Sequence, residues 1–329
     1  MAEAIAVPLS EVADHLPRSA DVFICCASYE SRSTSVATSL PSDLFRKVLI
    51  CANKEFKQEI HENEERLLAH FGVKAEQVVL SHDDPFMGLD TIRTALVAAN
   101  LGGSANVVVD MTTFTHEGLL ILIRVLTVAL RPGQKLLFVY TPASEYAVGL
   151  PSDQKWLSRG LKEIRSVLGF PGAMLPGRPL HLIVLVGFEV ERARLLIDSL
   201  EPDAISLGVG CDSTDGANRH LPKNIESLNQ ISIHYPAFHH FSFSSINPYE
   251  AEASLVAQVA LLPEMNAVVA PMNTKMSTVG AALLALKNRR VQLCYAPALT
   301  YNTPAYSSPA DFCYFLEVDI PLANEVPAS

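Results

Sequence analysis

The chain has 329 residues, 49% of them hydrophobic and 18% charged, with a formal charge of 25 − 35 = −10. That is apolar material for one or two packed domains and too little charge for extended disorder. The acidic balance, with no Lys/Arg run, speaks against general nucleic-acid binding, which draws its affinity from neutralised phosphates.

In chain order, the N-terminal stretch MAEAIAVPLSEVADHLPRSAD carries acids and no basic start, unlike a secretory signal, so the cytoplasm is the expected location. Val22–Ala27 (VFICCA) is a short apolar run of strand composition, and Glu30–Leu40 after it reads as a helix. Lys47–Ala52 is a second strand, Glu55–Phe71 a helix and Gln77–Ser81 a third strand. Leu89–Leu101 reads as a helix ended by Gly102-Gly103, Asn106–Asp110 as a fourth strand, His116–Leu130 as a helix and Lys135–Tyr140 as a fifth strand. The longest apolar stretch, Gly118–Leu130, is broken by Arg124 and falls short of the ~18 residues a membrane helix needs, so no membrane association is expected. Strands apolar throughout and separated by helices are the pattern of a parallel sheet covered on both faces.

The second half repeats this order. Phe23–Leu40 resembles Ile183–Leu200, with Tyr29-Glu30 falling on Phe188-Glu189; His82–Asp90 parallels Ser245–Ala253, each with a Pro-aromatic pair. Asn106–Leu120 parallels Asn266–Leu284, and Leu136–Tyr146 parallels Val291–Tyr301. Asn-x-Val-Val and Tyr-x-Pro-Ala recurring at the same places exceed what a shared α/β rhythm explains. The expected fold is therefore α/β: two tandem Rossmann-like doubly wound parallel sheets arising by internal duplication, with units at 1–168 and 180–329. The Gly- and Pro-rich Gly169–Pro179 reads as a linker between them. Ser152–Leu168, which holds the single Trp156, reads as helical, and Gly208–Asn218 as a polar loop, either lid or connection.

Ligands of doubly wound sheets bind beyond the carboxyl ends of the strands, where strand order reverses. With a 3-2-1-4-5 order in each half, the first and fourth strands flank that place. The candidates are then Ser28, Tyr29, Glu30 and Arg32, with Asp110, Thr112, Thr113, Thr115, His116 and Glu117, in the first half. In the second they are Phe188, Glu189 and Arg192, with Asn273, Thr274, Lys275 and Ser277. Glu30 and Glu189 suit either a helix N-terminus or a ribose hydroxyl. Asp110 and the threonines suit either an N-cap or an anion site, with Asp110 a base in the latter. Lys275 among Asn, Thr and Ser suits a phosphate, or solvent. Neither G-x-G-x-x-G, G-x-x-x-x-G-K-[ST] nor G-x-S-x-G occurs. The six cysteines form no C-x-x-C and no His pair has zinc spacing, so buried thiols are expected, with no metal and no cofactor.

Ala270–Leu286 (APMNTKMSTVGAALLAL) resembles the Thr-Lys helix-entry motif of CARF domains, Rossmann-like sensors of cyclic oligonucleotides, with Met272-Asn273 where that family usually carries Gly-Gly. Asp110–Leu120 (DMTTFTHEGLL) is similar to the Asp-x-Thr variant of the same loop. Two such units in one chain resemble the SAVED domains of anti-phage signalling proteins. The resemblance implies a nucleotide-sensing or nucleotide-binding module of a bacterial defence system, taking a small nucleotide such as a cyclic oligonucleotide. It would act with a separate effector protein or as a homo-oligomer. Thr112, Thr113, Asn273, Thr274 and Lys275 would then contact phosphate, with Glu30, Asp110 and Glu189 near sugar or base. Two alternatives stay open: a nucleotide- or ribosyl-bond hydrolase using Glu30, Asp110 or Glu117, and a non-catalytic scaffold subunit.

Overall fold

Aliphatic and β-branched runs buried on both faces leave the backbone no water to bond, so each must find a strand partner on either side. In the computed structural model, which describes residues 4–17, 20–101, 105–147, 155–212 and 220–323, they do so in two separate sheets. Met1–Lys155 together with Asn302–Ser329 form one unit, and Trp156–Tyr301 the other.

The first unit runs β1 (Ile5–Pro8), β2 (Ala20–Ala27), α1 (Ser35–Ser39), β3 (Lys47–Asn53), α2 (Lys57–Phe71) and β4 (Ala75–Leu80). It continues with α3 (Pro85–Ala98), β5 (Asn106–Asp110), α4 (His116–Ala129), β6 (Leu136–Tyr140) and β7 (Ala143–Tyr146). The second unit holds β8 (Ser158–Arg159), β9 (Arg165–Ser166), β10 (Leu180–Val186), α5 (Val190–Leu200), β11 (Ala204–Cys211), α6 (Leu221–Ser232) and β12 (His239–Ser244). Then come α7 (Pro248–Leu261), β13 (Asn266–Pro271), α8 (Lys275–Lys287), β14 (Val291–Tyr295) and β15 (Thr300–Tyr301). The chain finally returns to the first unit as β16 (Ser307–Pro309) and β17 (Phe312–Glu317).

The sheets are ordered β1-β17-β6-β5-β2-β3-β4 and β12-β11-β10-β13-β14-β9. Each contains five parallel strands in the order third, second, first, fourth, fifth, the doubly wound Rossmann-like order. In the first unit Phe23, Phe45, Val48, Leu67 and Val108 pack one face of the sheet; in the second Leu182, Val184, Leu196, Leu207 and Ile231 do the same. Fully burying each such side chain contributes about 1.5–3 kcal/mol.

The repeated sequence signatures have structural causes. Pro85-Phe86 and Pro248-Tyr249 open α3 and α7, with proline at the first turn, where its missing N–H is not needed. Asp84 caps the first by accepting from the Met87 N–H, and Asn247 caps the second by accepting from those of Tyr249 and Glu250. Asn106 and Asn266 tie off the starts of β5 and β13, accepting from Lys135 N and Leu175 N, each at 2.9 Å. After the fifth strands, the Pro142 carbonyl accepts from Ala310 N and the Pro297 carbonyl from Lys162 N.

Those last two bonds expose a reciprocal exchange. The segment after the first unit's fifth strand adds β9 antiparallel to β14, and the segment after the second unit's fifth strand adds β17 antiparallel to β6. β8 likewise pairs β15, and β16 pairs β7. The expected boundaries at 168 and 180 are corrected accordingly: residues 156–179 belong to the second unit and residues 302–329 to the first. Gly169–Pro179 is no linker but a strap on the second sheet, with Phe170 buried and Ala173 N bonded to Arg289 O. Gly172, at φ +62°, passes so close that a Cβ would lie 2.7 Å from Gln292 N.

Three element assignments change. The described part of Ser152–Leu168 is not helical, because its backbone groups pair with β14 and β15; Trp156 is half-buried, with the Arg159 guanidinium over its ring. The helix expected over Glu30–Leu40 shortens to a 3₁₀ turn at Ser31–Thr34 and then α1. Thr34, Thr38 and Ser39 hydroxyls bond back to carbonyls three or four residues earlier, the competition that makes such residues poor helix formers. Gly208–Cys211, expected in a loop, ends β11; Gly208 is there because a Cβ would meet the Phe241 ring at 2.5 Å. Residues 213–218 of that expected loop lie outside the described residues. No helix among the described residues is long and apolar enough to cross a membrane.

Candidate functional site

At the carboxyl edge of the first sheet, β2 ends in Ser28-Tyr29-Glu30 and the chain turns back through Arg32. Arg32 and Glu30 are both buried and form an ion pair, Arg32 NH2 to Glu30 Oε2 at 2.6 Å. The Arg32 Nε–H donates to the same oxygen at 3.0 Å and to Ser307 Oγ at 2.9 Å, and NH1 donates to the Thr141 carbonyl at 3.0 Å. The Ser307 hydroxyl donates to Glu30 Oε2 at 2.5 Å. Burial works against the guanidinium charge, but Glu30, Tyr146 and Tyr140 together outweigh it and hold Arg32 firmly protonated. The Tyr146 ring lies 5.8 Å from the guanidinium.

Beside this pair sits Asp110, only 2% exposed, at the end of β5. Its Oδ1 accepts from the Thr112 N–H at 3.1 Å and from the Thr112 hydroxyl at 2.5 Å. Its Oδ2 is buried with no hydrogen-bond partner. Burial pushes the carboxyl up to about 6, against the lowering effects of the Thr112 bonds and the Arg32 charge. The Thr112 oxygen also accepts from Thr141 N at 2.9 Å, and Thr113 Oγ1 donates to the Cys26 carbonyl at 2.6 Å. Thr115 caps α4 by accepting from Gly118 N. Glu117 is buried in the first turn of that helix, and His116 is half-buried.

The second unit rebuilds the ion pair and leaves the neighbouring loop open. Glu189 pairs with Arg192, and the Ser158 hydroxyl donates to Glu189 Oε1. After β13, the Asn273 side chain locks the turn: Nδ2 donates to Val186 O at 2.6 Å and Oδ1 accepts from Thr274 N at 2.9 Å. Thr274 Oγ1 donates to the Ser245 carbonyl and accepts from Ser277 N as the N-cap of α8. Thr115 and Thr274 therefore play the same part, and the first helical residue after each cap is His116 in the first unit and Lys275 in the second. Asn273, Thr274 and Lys275 are half-buried, whereas Met111 through Phe114 in the first unit are fully buried. Phe188, half-buried, meets the His220 ring at 5.6 Å.

The expected candidates thus lie at the carboxyl edges of the two sheets, where several already bond to neighbours within their own unit. Glu30 pairs with Arg32 and Glu189 with Arg192, each within its own unit. The Ser28 hydroxyl accepts from Glu30 N, and those of Thr112 and Thr113 close the first unit's own loop. Asn273 and Thr274 organise the loop that presents Lys275. Sequence reading missed Ser307, Thr141 and Ser158. The signal available was the serine in each segment after a Tyr-x-Pro-Ala tip. Among the described residues no group of three or more His, Cys, Asp or Glu is placed to hold a metal ion. All six cysteines are free; burial raises Cys51, Cys294 and Cys313 to about 12, leaving inert thiols.

No protein-family model matches the chain, and no curated protein does. Among solved structures it is similar to a mitomycin 7-O-methyltransferase, at 15% identity and TM-score 0.26 over 42% of this chain and 36% of that one. A SAM-dependent methyltransferase from Leishmania major matches at 15% identity and TM-score 0.24, over 40% of this chain and 48% of the other. The chain thus spans less than half the length of these two proteins. The cytoplasmic domain of a prokaryotic cation chloride cotransporter matches at 10% identity and TM-score 0.24, over 87% of this chain and 99% of that one. At these scores the likeness carries no functional argument.

Proposed function

We propose that this chain binds a small nucleotide at the carboxyl edge of its second sheet and reports that binding to a separate effector protein or through self-association. Its setting is the cytoplasm, in a bacterial anti-phage defence system, as its resemblance to CARF and SAVED sensors suggests. One observation carries the reading: Lys275 is the first residue of α8, on a half-open loop already fixed by Asn273 and Thr274. A helix N-terminus directs N–H groups and positive dipole at an anion, and a lysine there adds a point charge. A loop locked before the ligand arrives loses little entropy on binding.

Thermal unfolding with a panel of mononucleotides and cyclic oligonucleotides tests this. A ligand at 100 times its Kd stabilises the native state by about 2.7 kcal/mol, and Lys275→Ala should abolish the shift. An undiminished shift in that variant overturns the site. The hydrolase reading retains one supporting observation, the unpartnered Asp110 Oδ2 on a carboxyl pushed up to about 6, where a general acid or base is useful. Chromatography of the same mixtures decides it: a sensor returns its nucleotide unchanged, a hydrolase consumes it, and a scaffold shows no shift at all.

A further inference from the structure

Parallel strands lie about 4.8 Å apart, so residues just beyond neighbouring strand tips fall within ring-contact distance of one another. The order β4-β3-β2 makes use of this. Tyr29 follows β2, Phe56 follows β3 and His82 follows β4, while Tyr306 arrives on the returning segment before β16. Their rings form a continuous row: Tyr306 to Tyr29 at 5.6 Å, Tyr29 to Phe56 at 5.6 Å, and Phe56 to His82 at 6.0 Å. All three contacts are edge-to-face. Tyr306, Tyr29 and Phe56 are only half-buried.

The second unit repeats the heart of this row. Phe188 follows β10 and His220 follows β11 at the entrance to α6, with ring centroids 5.6 Å apart, the Tyr29–Phe56 separation. A ring pair at the same place in both units follows the duplicated plan, not the local packing of one unit.

The loops that bear the rings are pinned by polar bonds. The Asn63 side-chain N–H groups donate to the carbonyls of Ser28 and Glu30, on either side of Tyr29. The Glu55 carboxylate accepts from the Ser81 hydroxyl and the His82 N–H, joining the turn that carries Phe56 to the one that carries His82. Large rings held half out of the core forgo part of the burial open to them. They do so on the edge of the sheet where this architecture takes its ligands.

We infer that the Tyr306–Tyr29–Phe56–His82 row is a stacking ledge for a planar aromatic heterocycle of the nucleobase class. It deepens the nucleotide reading by naming a base-binding surface, and rests on that reading only for the phosphate the base would carry. Ring faces accept any base, so discrimination among bases at the ledge is weak.

Isothermal titration of the full chain with adenosine, guanosine, cytidine and uridine tests the ledge without phosphate, and pyrophosphate tests the Lys275 loop without a base. At least one nucleoside is expected to bind. Phe56→Leu and Tyr29→Leu, which keep apolar volume and remove the ring, should each weaken it on the order of ten-fold. Phe56→Tyr should bind like the wild type, which separates a stacking role from a merely structural one. Absence of nucleoside binding by the folded wild type overturns the ledge, as does binding that both Leu variants leave unchanged. Nucleoside binding with no response to pyrophosphate sinks the phosphate site alone; the reverse pattern sinks the ledge alone.

Discussion

The two fourth-strand loops start from one plan and end in opposite states. After β5, Asp110 Oδ1, Thr112 and Thr113 bond to one another and to neighbouring backbone, and the loop is buried, with Asp110 Oδ2 left without a hydrogen-bond partner. After β13, Asn273 and Thr274 do the organising, and the residue they present, Lys275, reaches the half-exposed edge. The Glu–Arg pair at the first-strand tip is kept in both units, each with a serine from an exchanged segment. The two units thus share the ion pair that fixes the strand tip and differ in the adjoining loop.

The most damaging way to break the comparison is to cut the chain by the wrong boundary. A fragment of residues 156–301 should unfold cooperatively by circular dichroism, whereas residues 180–329 should not, and a chain stopped at residue 301 should lose the first unit's transition. Cooperative folding of the 180–329 fragment would refute the exchange. Next in size, Arg32→Met strands a buried carboxylate and should cost about 3–5 kcal/mol in urea unfolding, with much of it recovered by Glu30→Gln in the same chain. Arg192→Met should cost less, because Glu189 lies nearer the surface than Glu30.

The units should also respond to pH in opposite senses. Burial, with His239 close by, lowers His181 from 6.5 to about 4, so the unfolded chain binds the extra proton first. The second unit therefore loses up to about 3 kcal/mol as pH falls from 6.5 toward 4. Asp110 is raised from 3.8 to about 6, so the folded state holds its proton longer; the first unit loses up to about 3 kcal/mol as pH rises from 3.8 to 6. Asp110→Asn should raise the first unit's Tm at pH 8 and flatten its pH profile; a lower Tm at pH 8 would contradict the buried-charge account. The smallest contrast lies in the caps. Thr115→Ala should cost about 1 kcal/mol by calorimetry, and Thr274→Ala more, because its hydroxyl also bonds to Ser245.

The parallel sheets were legible because strands buried on both faces read as unbroken apolar runs such as Val22–Ala27 and Ile183–Val186. The strand order did not follow from those runs; it was supplied by the doubly wound fold class, and the place of the candidates beyond the first and fourth strands depended on it. Bonds that span the chain were illegible: Arg32 and Ser307 lie 275 residues apart, and no local pattern pairs them. Gly208 and Gly210 looked like turn residues because the Phe241 ring and the Ser245 and Asn273 side chains that claim their space are far away in sequence. Glu30 and Asp110 carry the composition of a ligand site, and only the tertiary contacts reveal that one is neutralised by Arg32 and the other half-satisfied by Thr112.

The returning segment bears on how the molecule is made. A ribosome delivers residues 1–155 first, yet that unit lacks two strands and Ser307 until residues 302–317 emerge. Vectorial synthesis therefore completes the later unit ahead of the earlier one, and the nascent first sheet waits with its β6 edge unpaired.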